Sequence, residues 1–240
     1  MLNAPSLANC DFMTLSEQVS QLVEGGVDLF HVDIMDGHYV PNLCFPVKFI
    51  ADLKSTHPSV PVDAHLMVTH PAAYLDPLAA AGADYVSFPA DSTPFIRRTI
   101  TQIHERGMRA GVAINPSQRV DVVEPYLGLL DYVVLMTVEP GFAGQRFLDG
   151  SLERLEDLAA LRERTGSKAL IQIDGGVDYA MGEECLRRGA DILVTGIYTV
   201  FNQEDGIVSA VRRFGEVMAA VDRRPRLVTD VTLAPGAAVG

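Results

Sequence analysis

Two predicted strands carry histidine and aspartate side chains at alternate positions. They read HVDIM at 31–35 and DAHLM at 63–67. Because successive side chains of a strand point to opposite faces, His31 and Asp33 share one face and the apolar residues between them share the other. The apolar face must pack against helices. We therefore predict that His31, Asp33 and His65 lie on the opposite face of the sheet, which points into the interior of a barrel.

A further carboxylate, Asp174, ends another apolar run just before a Gly-Gly pair. Taken singly, an inward histidine is often a hydrogen-bonded core residue, and an aspartate before glycine often forms a turn. Burying several ionisable groups together is costly, however, and a bound cation is a common solution. Two imidazoles and two carboxylates suit one divalent ion of zinc, iron, manganese or cobalt. Asp63 is predicted to be a buried partner of the ligands. The predicted ligands are His31, Asp33, His65 and Asp174.

Three glycine-containing loops follow the later predicted strands. They read PGFAGQ at 140–145, DGG at 174–176 and TGI at 195–197. Glycine lets the backbone approach an anion closely, with N–H groups directed at it. In α/β barrels the loops after the last strands commonly bind phosphate. These loops therefore predict a phosphate site that needs no Arg or Lys.

The elements that position these residues alternate regularly along the chain. The predicted strands are 3–7, 29–35, 62–67, 85–88, 109–114, 132–137, 169–174 and 192–194. The predicted helices are 14–24, 47–53, 72–81, 94–106, 120–127, 152–164, 180–188 and 206–221. Continuous alternation favours a parallel sheet, and eight units can close into a barrel. The open doubly wound alternative lacks a Gly-x-Gly-x-x-Gly after the first strand. We predict one (β/α)₈ TIM barrel at 1–222 and a flexible C-terminal tail at 223–240.

Composition narrows the class of protein. The 240 residues carry a net charge of −12, from 19 basic and 31 acidic side chains, which disfavours binding to nucleic acid or anionic membranes. Three cysteines fit neither a disulfide framework nor a cysteine zinc site, and they indicate a reducing compartment. No signal peptide and no membrane-spanning apolar run is found. A cytoplasmic protein that forms a homo-oligomer is expected.

The run HVDIMDGHYVPN at 31–42 resembles the ribulose-phosphate 3-epimerase family. The resemblance extends from Pro5-Ser6 to about Phe201, with the blocks in family order and spacing. It implies a barrel epimerase that inverts C3 of a ketose phosphate and interconverts D-ribulose 5-phosphate and D-xylulose 5-phosphate. The other matching blocks are DAHLMV at 63–68, MTVEPGFAGQ at 136–145 and DGGV at 174–177.

The resemblance also implies roles for individual residues. The four ligands predicted above would hold the metal, and Asp33 and Asp174 would in addition be the acid–base pair. Inversion needs a proton removed from one face of C3 and returned to the other, and a metal chelated by the C2 and C3 oxygens would stabilise the enediolate between the two steps. The residues that would contact substrate are Ser6, His65, Gly141, Phe142, Ala143, Gly144, Gly175, Gly176, Gly196 and Ile197.

Departures from the family pattern leave the sugar open. They are Cys44-Phe45-Pro46, Pro89 and Ile197. The GFAG at 141–144 is similar to the D-allulose-6-phosphate 3-epimerase branch, so a hexulose phosphate is the alternative substrate. A barrel lyase is disfavoured because no predicted strand ends in Asp-x-Lys. A non-catalytic sugar-phosphate-binding barrel is a more remote alternative, since the potential ligands are intact.

Overall fold

The computed structural model describes residues 1–221, in which strands and helices alternate. The strands are β1 (Leu2–Pro5), β2 (Phe30–Met35), β3 (Val62–Met67), β4 (Tyr85–Pro89), β5 (Arg109–Ile114), β6 (Tyr132–Met136), β7 (Leu170–Asp174) and β8 (Ile192–Thr195). The α-helices are α1 (Leu15–Gly25), α2 (Val47–Thr56), α3 (Leu75–Ala81), α4 (Ile96–Glu105), α5 (Ser151–Thr165), α6 (Tyr179–Arg187) and α7 (Gly206–Ala219). The predicted end of the domain at 222 and the predicted tail at 223–240 lie outside the described residues.

All strand pairs are parallel, and β1 pairs with β8 while β2 through β8 pair in sequence order. A parallel bridge between Ser6 and His31 joins the two ends of the sheet next to β1 and β2. The predicted (β/α)₈ barrel is therefore confirmed. None of the helices within residues 1–221 combines the length and the apolarity that a membrane span requires.

One predicted helix, at 120–127, is wrong in type. The segment Val120–Tyr126 is a 3₁₀ helix that contains Pro125. Proline has no N–H to donate and its ring disturbs the preceding turn, so a regular α-helix is disfavoured there. The predicted helix at 72–81 likewise begins as a 3₁₀ segment, Pro71–Tyr74, before α3. Neither change alters the order of the strands.

The two faces of the strands have the predicted difference in polarity, with an apolar face toward the helices and polar side chains toward the interior. On β2, His31 and Val32 are both fully buried. The Val32 side belongs to the apolar layer that includes Leu22 of α1 and Ile50 of α2. His31 instead lies inside the barrel with other buried polar side chains. The barrel interior is therefore polar around one cluster, and the surrounding layer is apolar.

A recurring aspartate before a strand ties that strand to the one preceding it. In each case one carboxylate oxygen accepts a backbone N–H at the start of the neighbouring strand. The pairs are Asp28 with Asn3 (2.7 Å), Asp84 with Val62 (2.9 Å), Asp131 with Ala110 (2.8 Å) and Asp191 with Ile171 (2.9 Å). These contacts join strands in pairs at the end of the barrel opposite the site.

Tyr132 fills the barrel interior because Gly111 on the neighbouring strand has no side chain. A Cβ at Gly111 would lie 2.5 Å from Cζ of Tyr132. We expect Gly111→Ala to destabilise the fold by about 1–3 kcal/mol, the usual cost of overpacking a core. Urea unfolding measures this. Gly128→Ala is the control, since a Cβ there would meet no atom of residues 1–221 within 4 Å. Equal stability of the two variants would contradict the prediction.

Candidate active site

Four ionisable side chains from three strands converge at one end of the barrel. His31 and Asp33 come from β2, His65 from β3 and Asp174 from the last position of β7. One ligand atom of each lies within 4.8 Å of the other three. The side chains of Asp33 and Asp174 are 10% and 13% exposed, and both histidines are buried. Barrel closure thus brings together all four predicted ligands.

The geometry of the two imidazoles fits a cation. Nε2 of His31 lies 3.5 Å from Asp33 Oδ1 and 3.4 Å from Asp174 Oδ2. Nδ1 of His65 lies 3.7 Å and 3.2 Å from the same two oxygens. Neither nitrogen forms a hydrogen bond with any residue of the described part of the chain, although both are buried. Because an unpaired buried nitrogen is costly, two such atoms facing two carboxylate oxygens fit one divalent ion.

Asp63 fixes the orientation of His31. Its Oδ2 lies 2.8 Å from His31 Nδ1 and accepts a hydrogen bond from Gln172 Nε2 at 2.9 Å, while its Oδ1 accepts from the Tyr132 hydroxyl at 2.6 Å. With the Nδ1 proton directed at Asp63, Nε2 points toward the cluster, where it can bind an ion once it has lost its own proton. The alternating sequence pattern predicted this position of Asp63. Tyr132 and Gln172 were not foreseen.

The two carboxylates of the cluster favour positive charge on the neighbouring imidazoles. Burial lowers the pKa of His31, but the carboxylates of Asp33 and Asp174 outweigh it and the net pKa lies well above its usual value. Burial also opposes protonation of His65, yet the neighbouring Asp174 and Asp33 raise its pKa to about 9. Burial raises the pKa of each carboxyl, and the two histidines bring both below the ordinary range. A divalent ion would supply the same positive charge in place of the protons.

Asp63→Asn tests whether Asp63 orients His31 for binding of a divalent ion. Asn offers one acceptor oxygen where Asp63 uses two, so either His31 or Tyr132 loses its partner. We expect divalent-ion affinity to fall about 10- to 100-fold, with activity recovered at excess ion. Ion content after dialysis measures the effect. Asp84→Asn, which removes a carboxylate at the opposite end of the barrel, is the control. Equal ion retention in both variants would contradict the role of Asp63.

Asp33 and Asp174 differ in their second carboxylate oxygen. The hydroxyl of Ser6, just beyond β1, donates to Oδ2 of Asp33 at 2.6 Å. Oδ1 of Asp174 has no such donor among the described residues. Thr137 instead holds the backbone there, since its hydroxyl donates to the Gly175 carbonyl at 2.6 Å. Asp33 is therefore hydrogen-bonded in its ionised form, and Asp174 keeps one oxygen toward the cavity.

A cavity of about 90 Å³ lies directly above the cluster. Buried methionines at the ends of three strands, Met35, Met67 and Met136, contribute an apolar wall. His65 does not line this cavity, although its Nδ1 lies 3.2 Å from Asp174 Oδ2. The other substrate-contacting residues predicted from the sequence do line it, namely Ser6, Gly141, Phe142, Ala143, Gly144, Gly175, Gly176, Gly196 and Ile197.

The three glycine-containing loops that the sequence predicts to bind phosphate meet at this cavity, because glycine allows their close approach. Gly176 has φ +65°, and a Cβ on it would lie 2.3 Å from the backbone nitrogen of Phe147. Sequence reasoning missed Asn9, Val138 and Tyr198 in the cavity lining. None of the three belongs to a distinctive motif. Val138 and Tyr198 flank predicted loops and Asn9 lies three residues after Ser6, and this proximity is the only signal that the sequence offers.

Sequence comparison places these features in a known group. A profile of the ribulose-phosphate 3 epimerase family matches residues 3–201. The ribulose-phosphate 3-epimerase of Aquifex aeolicus is 40% identical over 195 residues, which cover 81% of this chain and 87% of that protein. The enzyme of the same name from Bacillus subtilis is 38% identical over 203 residues, which cover 84% and 93%.

Structural comparison supports the fold alone. The 3-hexulose-6-phosphate synthase of Salmonella typhimurium superimposes with a TM-score of 0.71 at 19% identity, covering 91% of this chain and 99% of that one. KGPDC from Streptococcus mutans gives a TM-score of 0.70 at 11% identity, covering 92% and 98%. The sequence match and the His–Asp cluster together give the assignment: the chain belongs to the ribulose-phosphate 3-epimerase family.

Proposed function

We propose that this protein inverts C3 of a ketose phosphate and interconverts D-ribulose 5-phosphate and D-xylulose 5-phosphate. The observation that carries the proposal is the convergence of two histidines and two carboxylates beneath a cavity lined by glycine-rich loops. The named relatives favour the pentose phosphate over D-allulose 6-phosphate, which the sequence had left as the alternative.

His31, Asp33, His65 and Asp174 would hold the divalent ion, which would be zinc, iron, manganese or cobalt. Bound there, the ion would supply positive charge to stabilise the enediolate oxygen of the sugar. Proton transfer and the exclusion of water would be performed by side chains of the protein.

Asp33 and Asp174 come from β2 and β7 and approach the cavity from different strands. Asp33, with Ser6 donating to it, is set to be ionised and to take the C3 proton from one face. Asp174, whose Oδ1 receives no hydrogen bond from residues 1–221, is the group that would have to gain a proton before delivering it to the other face. The two groups exchange roles when the reaction runs in reverse. The buried methionines would exclude water from the carbon that loses its proton.

The phosphate group would bind to backbone N–H groups. Among residues 1–221, no Arg or Lys lines the cavity. Within residues 1–221, no backbone N–H from Gly141 to Gln145 donates a hydrogen bond. These unpaired donors, on a chain with net charge −12, support local binding of an anion by peptide dipoles.

Self-association is proposed through an exposed apolar patch, defined as Phe12, Met13 and Leu43. Their exposed fractions are 59%, 91% and 74%. The occupant we propose is a second copy of this chain, because a two-fold contact would bury the same three apolar side chains on both copies, with the Lys48–Asp52 ion pair (2.6 Å) at its edge. Light scattering tests this. A monomer at micromolar concentration would contradict it.

A parallel assay tests the function. The protein loaded with a divalent ion is offered D-ribulose 5-phosphate and D-allulose 6-phosphate, and kcat/KM is compared. We expect the pentose phosphate to be preferred. A higher kcat/KM for the hexulose phosphate would reassign the substrate. Binding of either sugar without turnover would indicate a non-catalytic sugar-phosphate-binding barrel.

A further inference from the structure

The segment Glu139–Gln145, here called the strap, runs from the end of β6 to the neighbourhood of two other loops. On one side, Asn42 Nδ2 donates to the Gly141 carbonyl at 2.8 Å. On the other, the Tyr198 hydroxyl donates to the Gly144 carbonyl at 2.8 Å. These partners lie 99 and 54 residues away along the chain. The strap is thus held at two points by side chains that follow β2 and β8.

The strap is also closed on itself. The Gln145 side-chain nitrogen donates to the carbonyls of Glu139 and Phe142, at 2.6 and 2.9 Å. Beneath it, Val40 packs so closely that a Cβ on Gly141 would lie 3.0 Å from Cβ of Val40. The strap therefore has few internal degrees of freedom, and its placement depends on its two outer contacts.

Those contacts determine where backbone donors point. The peptide bonds of residues 1–221 are all trans, so the C=O of one residue is antiparallel to the N–H of the next. When Asn42 binds the Gly141 carbonyl, it fixes the direction of the Phe142 N–H. When Tyr198 binds the Gly144 carbonyl, it fixes the direction of the Gln145 N–H. Neither N–H donates to another described residue.

We infer that Asn42 and Tyr198 are positioning residues that orient the strap N–H groups for the phosphate of a phosphorylated sugar. This inference rests on the proposed function. Without these contacts, the bound phosphate itself would have to order the strap, and the ordering cost would appear as weaker binding. The inverted carbon, C3, is separated from the phosphate by C4 and C5, so the proton-transfer steps should be little affected.

Tyr198→Phe removes a single oxygen and leaves the ring in place. We expect KM for D-ribulose 5-phosphate to rise about three- to tenfold, with kcat within about twofold of wild type, as for the loss of one hydrogen bond that acts equally in ground and transition states. Asn42→Ala should act in the same direction. Tyr179→Phe is the matched control, because that hydroxyl accepts from Arg213 on the outer face of the barrel.

Inorganic phosphate gives a readout that does not depend on turnover. Calorimetry on the ion-loaded protein should show its Kd rising in both variants by about the same factor as KM, and not in Tyr179→Phe. An unchanged Kd in Tyr198→Phe, or no phosphate binding by wild type, would overturn the inference, as would a loss confined to kcat. If wild type binds phosphate and the variants weaken it, but no sugar phosphate is epimerised, the inference stands and the proposed function fails. Because Tyr198→Phe changes only one atom, it decides the outcome even if Asn42→Ala unfolds.

Discussion

Asp174→Asn is expected to leave less than about one thousandth of the wild-type kcat, given the usual combined size of acid–base and metal effects. Asp33→Asn should lose activity to the same extent. An amide has nearly the shape of a carboxyl group but cannot take up a proton at neutral pH, so either change leaves one face of C3 without its base or acid. Both variants should fold, because the substitution preserves volume in a buried cluster.

The measurement is steady-state epimerisation combined with the divalent-ion content of each variant. Ion content separates loss of a ligand from loss of proton transfer, because a variant reconstituted with excess ion and still inactive lacks the proton-transfer group. Asp149→Asn is the control, since it removes an exposed carboxylate at the surface. Near-normal epimerisation by either site variant would exclude the two-base scheme.

Removal of the divalent ion by a chelator should abolish turnover, and its rebinding should depend steeply on pH. In the ion-free protein burial lowers the pKa of both imidazoles, but Asp33 and Asp174 outweigh it: the pKa of His31 lies well above its usual value and that of His65 at about 9, and we expect both to hold an extra proton at neutral pH. The ion must displace those protons. Its apparent affinity should therefore fall as pH decreases below about 9, by about tenfold per pH unit for each proton displaced, or about 100-fold for two.

Titration of the ion-free protein from pH 6 to 9 measures this slope, and calorimetry in two buffers of different ionisation enthalpy counts the protons released. Restoration of activity by an added divalent ion completes the test. Full activity after the ion has been removed, or an affinity independent of pH, would contradict the assignment of the two histidines as ligands.

Much of the fold and of the candidate site could be predicted from local periodicity in the sequence. Alternation of apolar and polar residues identified the strands, and it placed His31 and Asp33 on the inner face of β2 before any contact was known. The positions of Asp174 and the glycine-rich loops at strand ends predicted that they would meet at one rim, because parallel strands end at the same edge. These inferences succeed because successive side chains of a strand point to opposite faces, so a residue's position along the strand decides which face it occupies.

The distances that make the site work were decided by the tertiary structure. Whether His31 Nε2 lies free depends on Asp63, Tyr132 and Gln172, whose contacts join β2, β3, β6 and β7 across the barrel. Pro125 changed a predicted α-helix into a 3₁₀ helix because one residue type overrode the amphipathic pattern.

The sequence by itself thus determined the order of the strands, the inward faces and the residue types at the rim. It did not determine which carboxylate Ser6 binds, or that Asn42 and Tyr198 hold the strap. These contacts join residues 27, 99 and 54 positions apart, so no local periodicity encodes them. They arise only when closure of the barrel brings the ends of β1, β2, β6 and β8 around a common opening.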